Sequence, residues 1–163
     1  MNNNTIYIGN SPVKRLDENI QGETTRLNGQ QYYKISNYHQ MPPFLMSIVS
    51  NSDLWMFLSS NGAVTAGRKS PDHALFPYCT DDKIHDSHNI AGNKTILFVR
   101  KSDKMHLWEP FSSNYRGVYK IDRNIYKNIL GSHVIFEETN QDLNIAFRYG
   151  WNNCDEYGFI KNS

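Results

Sequence analysis

Large apolar residues recur at every second position along much of the chain, and seldom at the spacing of a helix. In Leu143-Asn144-Ile145-Ala146-Phe147-Arg148-Tyr149 the odd positions are large and apolar and the even ones small or polar. A strand with one buried and one wetted face produces that alternation, so Leu143, Ile145 and Phe147 are expected to face a core. His133-Val134-Ile135-Phe136-Glu137-Glu138 precedes it, and Thr139-Asn140-Gln141-Asp142 supplies a turn, which predicts a hairpin. Residues 95–99 and 105–108 flank Lys101-Ser102-Asp103-Lys104 as a second hairpin, and residues 44–49 and 54–58 flank Ser50-Asn51-Ser52-Asp53 as a third. Residues 31–35, 117–121 and 157–161 complete the expected strands. Only residues 123–130 could form a short helix. Short strands with turn signals at this spacing predict an all-β antiparallel β-sandwich with very little helix, organised as a single domain over residues 1–163.

Two long irregular connections, residues 59–78 and 79–93, interrupt this economy. Connections of that length in a compact β domain are often functional. The first holds Ser59-Ser60-Asn61-Gly62-Ala63-Val64-Thr65-Ala66-Gly67-Arg68-Lys69. It reads either as a loop presenting N–H groups and Arg68 to a ligand or as a tight Asn-Gly turn between strands; the P-loop spacing is absent. Asn61, Arg68, Asp72, His73, Asp81 and Asp82 can hydrogen-bond sugar hydroxyls, and Phe76 and Tyr78 can pack on a sugar ring or on a neighbouring domain. In the second connection His85 and His88, with Asp81 or Asp86, are weak candidates for a metal site; a solvated polar loop is the simpler reading, and no metal or cofactor is expected.

Composition narrows the classes further. The chain has 163 residues, 39% hydrophobic and 13% aromatic, with 20% charged and a net charge of +1. A neutral chain of this kind calls for neither nucleic acid nor an anionic membrane as partner. The start Met1-Asn2-Asn3-Asn4-Thr5 lacks the basic and apolar regions of a signal peptide, so a cytoplasmic location is expected. Cys79 and Cys154 match no zinc or redox spacing and are expected as free thiols, with one disulfide as the alternative.

Carboxylates are plentiful, yet glycoside cleavage requires two of them across one bond, and adjacent Glu137 and Glu138 must point to opposite faces of a strand. No serine sits in a GxSxG context. For an independent enzyme of the mutarotase kind, His106 with Glu109 and His133 with Glu137 are the only nearby pairs. No catalysis is expected from this chain alone.

Phe44-Leu45-Met46-Ser47-Ile48-Val49-Ser50 and Trp55-Met56-Phe57-Leu58-Ser59-Ser60-Asn61-Gly62, followed by Leu75-Phe76-Pro77-Tyr78, resemble the opening strands of the cellobiose and chitobiose phosphorylase family of glycoside hydrolases. Thr95-Ile96-Leu97-Phe98-Val99-Arg100, His106-Leu107-Trp108-Glu109-Pro110 and the closing Asp155-Glu156-Tyr157-Gly158-Phe159-Ile160-Lys161-Asn162-Ser163 extend the likeness in order over residues 44–163. The departures are Asn61-Gly62-Ala63-Val64 where the family has successive glycines and an aromatic, and Glu109 where it has serine. The resemblance implies a galactose-mutarotase-like supersandwich, here incomplete, and a downstream helical catalytic domain as partner. It carries no catalytic residue onto this chain. Its expected function is that of a non-catalytic N-terminal domain of a glycan-processing phosphorylase or hydrolase, packing on the helical barrel and assisting carbohydrate binding or homodimerisation. The alternative is a free-standing carbohydrate-binding module. An apolar docking patch would favour the first, a groove of coplanar aromatics the second.

Overall fold

Strand pairing is antiparallel throughout the computed structural model, which describes residues 6–13, 19–80, 82–115 and 117–163. The strands are β1 (Ile6–Ile8), β2 (Ser11–Val13), β3 (Gln21–Leu27), β4 (Gln30–Ser36), β5 (Leu45–Ile48), β6 (Leu54–Ser59) and β7 (Val64–Arg68). They continue as β8 (Leu97–Lys101), β9 (Lys104–Trp108), β10 (Ile121–Asn128), β11 (His133–Asn140), β12 (Ile145–Cys154) and β13 (Gly158–Asn162). Helical structure among the described residues is confined to 3₁₀ turns at Tyr38–Gln40, Pro71–His73 and Ile84–Ser87. A six-stranded sheet in the order β13-β12-β11-β10-β4-β3 packs against the three-stranded sheet β5-β6-β7, and the hairpins β8-β9 and β1-β2 stand apart. The all-β sandwich expected from periodicity is present.

The core lies between the two sheets. Met46, Ile48, Met56, Leu58, Val64 and Ala66 project from the smaller sheet onto Ile125, Val134, Phe136, Tyr149 and Trp151 of the larger. Phe136 is 1% exposed and stacks on Tyr149 at 4.9 Å and 13°. The alternation from residue 143 to 149 holds: Leu143 and Tyr149 are buried, while Ile145 and Phe147 are half-buried on the same side. The hairpin turn, however, falls at residues 141–144, because Asn140 pairs with Ile145.

Five strands lie outside the expected set, β1, β2, β3, β7 and β10. Residues 121–128 form β10, not a helix, and of the 117–121 segment only Ile121 is in a strand. The polar residues of β10 that argue against a strand find partners across the sheet. Its register sets Arg123 opposite Glu138 and Asn124 opposite Glu137. Strand β7 lies inside the connection read as irregular and is made of small residues because it is crowded. A Cβ on Gly67 would stand 2.5 Å from Trp55 Cζ2 and 2.6 Å from the His73 carbonyl. Strand β3 is a polar edge, and charged, polar edges discourage pairing with other chains.

The outer face of the large sheet has its own small cluster of Tyr32, Tyr126 and Ile135. Glu137 sits among them, 8% exposed, and accepts from Asn124 Nδ2 at 2.8 Å, from the Tyr126 hydroxyl at 2.7 Å and from Arg148, whose guanidinium also lies 5.9 Å from the Tyr126 ring centre. Burial alone would raise this carboxyl, but the bonds from Asn124, Arg148 and Tyr126 outweigh it and hold the carboxyl below its usual range.

Two expectations follow. Phe136→Ala should cost about 3–5 kcal/mol in urea unfolding, and Phe147→Ala, at the margin of the core, distinctly less. Glu137 is ionised more readily folded than unfolded, so its contribution is complete above the ordinary carboxylate value of 4.5 and is lost as pH falls through the lower folded value. Glu137→Gln should therefore melt below the parent at neutral pH, and the gap should narrow as the pH drops under 4.5.

Candidate functional site

The end of the sandwich where β6 turns into β7 is built from loops that are tied down. Gly62, at φ 93°, makes the turn. Ser59 Oγ meets His85 Nδ1 at 2.7 Å, and Asn61 Nδ2 donates to the His85 carbonyl at 2.7 Å. Ile84 is completely buried, and the Val64 N–H donates to the Ala91 carbonyl at 2.8 Å. The connection after Cys79 is thus anchored on β6 and β7. His85 is half-buried and faces Ser59, whereas His88 is exposed at the rim.

Opposite lies the loop that follows β9, and a buried carboxylate holds it. Glu138, 1% exposed on the core side of β11, accepts from the Trp108 indole N–H at 2.9 Å, from the Phe111 backbone N–H at 2.7 Å and from Arg123 Nε at 2.6 Å. Arg123 Nη2 donates in turn to the Ser112 carbonyl at 2.7 Å. Phe111 has a left-handed backbone, φ 65°, a strained state for an aromatic residue that persists only where its surroundings impose it. Its ring meets Tyr149 edge-on at 5.2 Å and 89° and also contacts Phe136 and Phe147.

Between these loops runs a cleft of two chambers, each about 180 Å³, which share Asn61, His88, Phe111 and Ser113. Asn93, Lys94, Glu109, Ser112, Asn114 and Tyr149 line the first. Tyr38, His39, Met41 and Arg123 line the second. Burial pushes the Tyr38 and Tyr149 phenols upward, so both stay neutral, and Tyr149 is hydrogen-bonded to Asn93. The charges are compensated: Lys94 is 3.5 Å from Glu109, and Arg123 is engaged by Glu138. Amides, hydroxyls and neutral phenols over aromatic rings suit a neutral, hydroxyl-rich molecule. Asn93 lines this chamber with its side-chain amide beside the Tyr149 hydroxyl.

The residues singled out in the sequence are dispersed. Asn61 lines the cleft, but Arg68 is at the other end of β7, whose length is roughly 13 Å at 3.3 Å per step. One small ligand does not bridge that distance. Arg68 and His73 border a separate hollow of about 440 Å³ with Tyr157 and Phe159. Asp72 is exposed on the Pro71–His73 turn. Phe76 packs into the core, edge-on to Trp151 at 6.0 Å and 86°. Tyr78 meets Trp55 edge-on at 5.9 Å and borders a hollow with Leu45, Phe57 and Ile84. Asp81 lies outside the described residues, and among those described no three His, Cys, Asp or Glu side chains converge. Cys79 and Cys154 are free thiols.

The acid–base pairs do not converge either. His133 and Glu137 share the outer face of β11 but are separated by Ile135, and His133 Nδ1 bonds the Tyr32 hydroxyl at 2.8 Å. Glu137 and Glu138 occupy opposite faces, each saturated by donors. Asn93, Phe111, Ser112, Arg123 and Glu138 escaped the sequence reading because their meeting depends on strand register and not on proximity along the chain. Against family models the chain matches none, and no curated protein matches it.

Breaking the buried pair is expected to be expensive. Glu138→Ala strands Arg123 and two N–H donors and should cost about 3–5 kcal/mol. Trp108→Phe removes one hydrogen bond and should cost about 1 kcal/mol. Equilibrium denaturation of both variants checks the difference.

Proposed function

We propose that this chain is a non-catalytic accessory sandwich domain of a glycan-processing enzyme, of the phosphorylase or glycoside hydrolase kind, that docks on a helical catalytic domain and lends its cleft to a sugar. One observation carries the docking role. The outward face of hairpin β8-β9 carries one charge, Arg100, among exposed apolar residues, Ile96 53%, Phe98 69%, Met105 54% and Leu107 38%, while Leu97, Val99 and Trp108 take the opposite face. A contiguous exposed apolar face of this kind marks an interaction site. The resemblance of residues 44–163 to the cellobiose and chitobiose phosphorylase family supports a helical catalytic domain as the partner.

Placement supports joining the two roles. Lys94 stands just before β8 and Glu109 just after β9, and both line the cleft, so a domain seated on the hairpin lies beside the sugar-binding chamber. A free-standing carbohydrate-binding module fits less well: Trp55 and Tyr78 meet at 84°, not in one plane.

Calorimetric titration of the chain with cellobiose and chitobiose is the test of the cleft. Binding is expected, with Asn93→Ala weakening it about tenfold, the worth of one hydrogen bond. In a polypeptide that includes the helical domain, Phe98→Asp with Leu107→Asp should make the two domains melt independently. Absence of any saccharide binding, together with hairpin variants that leave the melt unchanged, contradicts the reading.

A further inference from the structure

At the end of the sandwich remote from the cleft, the β5–β6 loop, the β10–β11 turn and the end of β12 enclose a hollow of about 440 Å³. Val49, Asn51, Leu130, Ser132, Asn153 and Asp155 border it. Its serines are engaged: Ser50 Oγ is 2.7 Å from Ser52 Oγ, and Ser132 Oγ accepts from Asn128 Nδ2 at 3.0 Å. Asn153 differs, because both its Nδ2 and its Oδ1 are buried with no hydrogen-bond partner. No bond holds that amide in its rotamer, and turning it into the hollow sacrifices none. Asp155 is exposed and has no ion pair or hydrogen bond among the described residues.

We propose that this hollow is a second saccharide site, which takes a vicinal diol of a sugar ring between Asn153 and Asp155. A carboxylate is an acceptor only, while an amide needs both an acceptor for its N–H and a donor for its oxygen. A hydroxyl is both. One hydroxyl accepts from Asn153 Nδ2 while donating to Asp155, and its neighbour donates to Asn153 Oδ1. An ammonium ion fails because it offers no acceptor to Nδ2. A divalent cation is poorly served, because Asp155 is the only carboxylate on the hollow among the described residues and hard cations take six or more oxygens. Val49 and Leu130, both exposed, give the hollow an apolar flank for the C–H face of a ring. The saccharide class rests on the reading of the cleft, but the site shares no residue with it.

The test is a ¹H–¹⁵N titration of the whole chain with methyl β-glucoside, methyl β-galactoside and methyl α-mannoside. The expected result is a saturable shift of the Asn153 side-chain amide and of residues 49–51 and 130–132 with at least one of them. Asn153→Ala and Asp155→Ala should each weaken it about tenfold, Asn93→Ala should leave it intact, and Asn153→Ala should melt no lower than the parent. Shifts confined to Asn93 and the cleft overturn this proposal and leave the cleft standing. Shifts confined to Asn153 and its neighbours do the reverse. A site that survives both substitutions, or an Asn153→Ala variant that melts lower with a water bonded to both amide atoms in the parent crystal, overturns it by showing the amide to be structural.

Discussion

One buried carboxylate organises this domain. Glu138 lies on the core side of the central sheet, where an unpaired charge is not tolerated, and its oxygens are shared among Arg123, the Trp108 indole and the Phe111 backbone. Those donors belong to different parts of the fold: a neighbouring strand, the end of a separate hairpin and the loop beyond it. Placing Glu138 in the core therefore fixes where all three must be. An ion pair of this kind is weak evidence for extra stability, since an apolar replacement of the same shape can do as well. What it secures here is position.

The consequences spread from there. With Trp108 drawn into the domain, hairpin β8-β9 presents Leu97 and Val99 inward and leaves Phe98, Met105 and Leu107 outward. With its N–H held by the same carboxylate, Phe111 accepts a left-handed backbone and seats its ring between Tyr149 and Phe147. The floor of the cleft and the apolar face of the hairpin are thus products of one hydrogen-bonded centre. Glu137, a single residue away, faces the other side of the sheet and ties Asn124, Tyr126 and Arg148 together there.

How much of this the sequence revealed depends on where burial is one-sided. The β11–β12 hairpin was legible because Leu143 to Tyr149 alternate against the core and a polar turn separates them from the apolar start of β11. Strand β10 was not, because its Arg123 and Asn124 are satisfied by residues that arrive from elsewhere in the chain, and a run of polar and β-branched residues reads as a short helix when those partners are unknown. Strand β7 was hidden by small residues whose size answers to Trp55 and His73. The candidate loop was half legible. Asn61 does reach the cleft, but the strand between it and Arg68 carries the cations to the other end of the sandwich. The rest of the cleft comes from residues 88–94 and 109–114, brought together by register and by the Glu138 centre, which leave no periodic mark.

The Glu138 centre belongs to the cooperative core and is not a surface latch. Native-state hydrogen exchange at the Phe111 amide measures this directly. This amide, although in a loop, should exchange only through global unfolding, with the same opening free energy as the central amides of β11. Exchange at the rate of an open loop while β11 stays protected would contradict it.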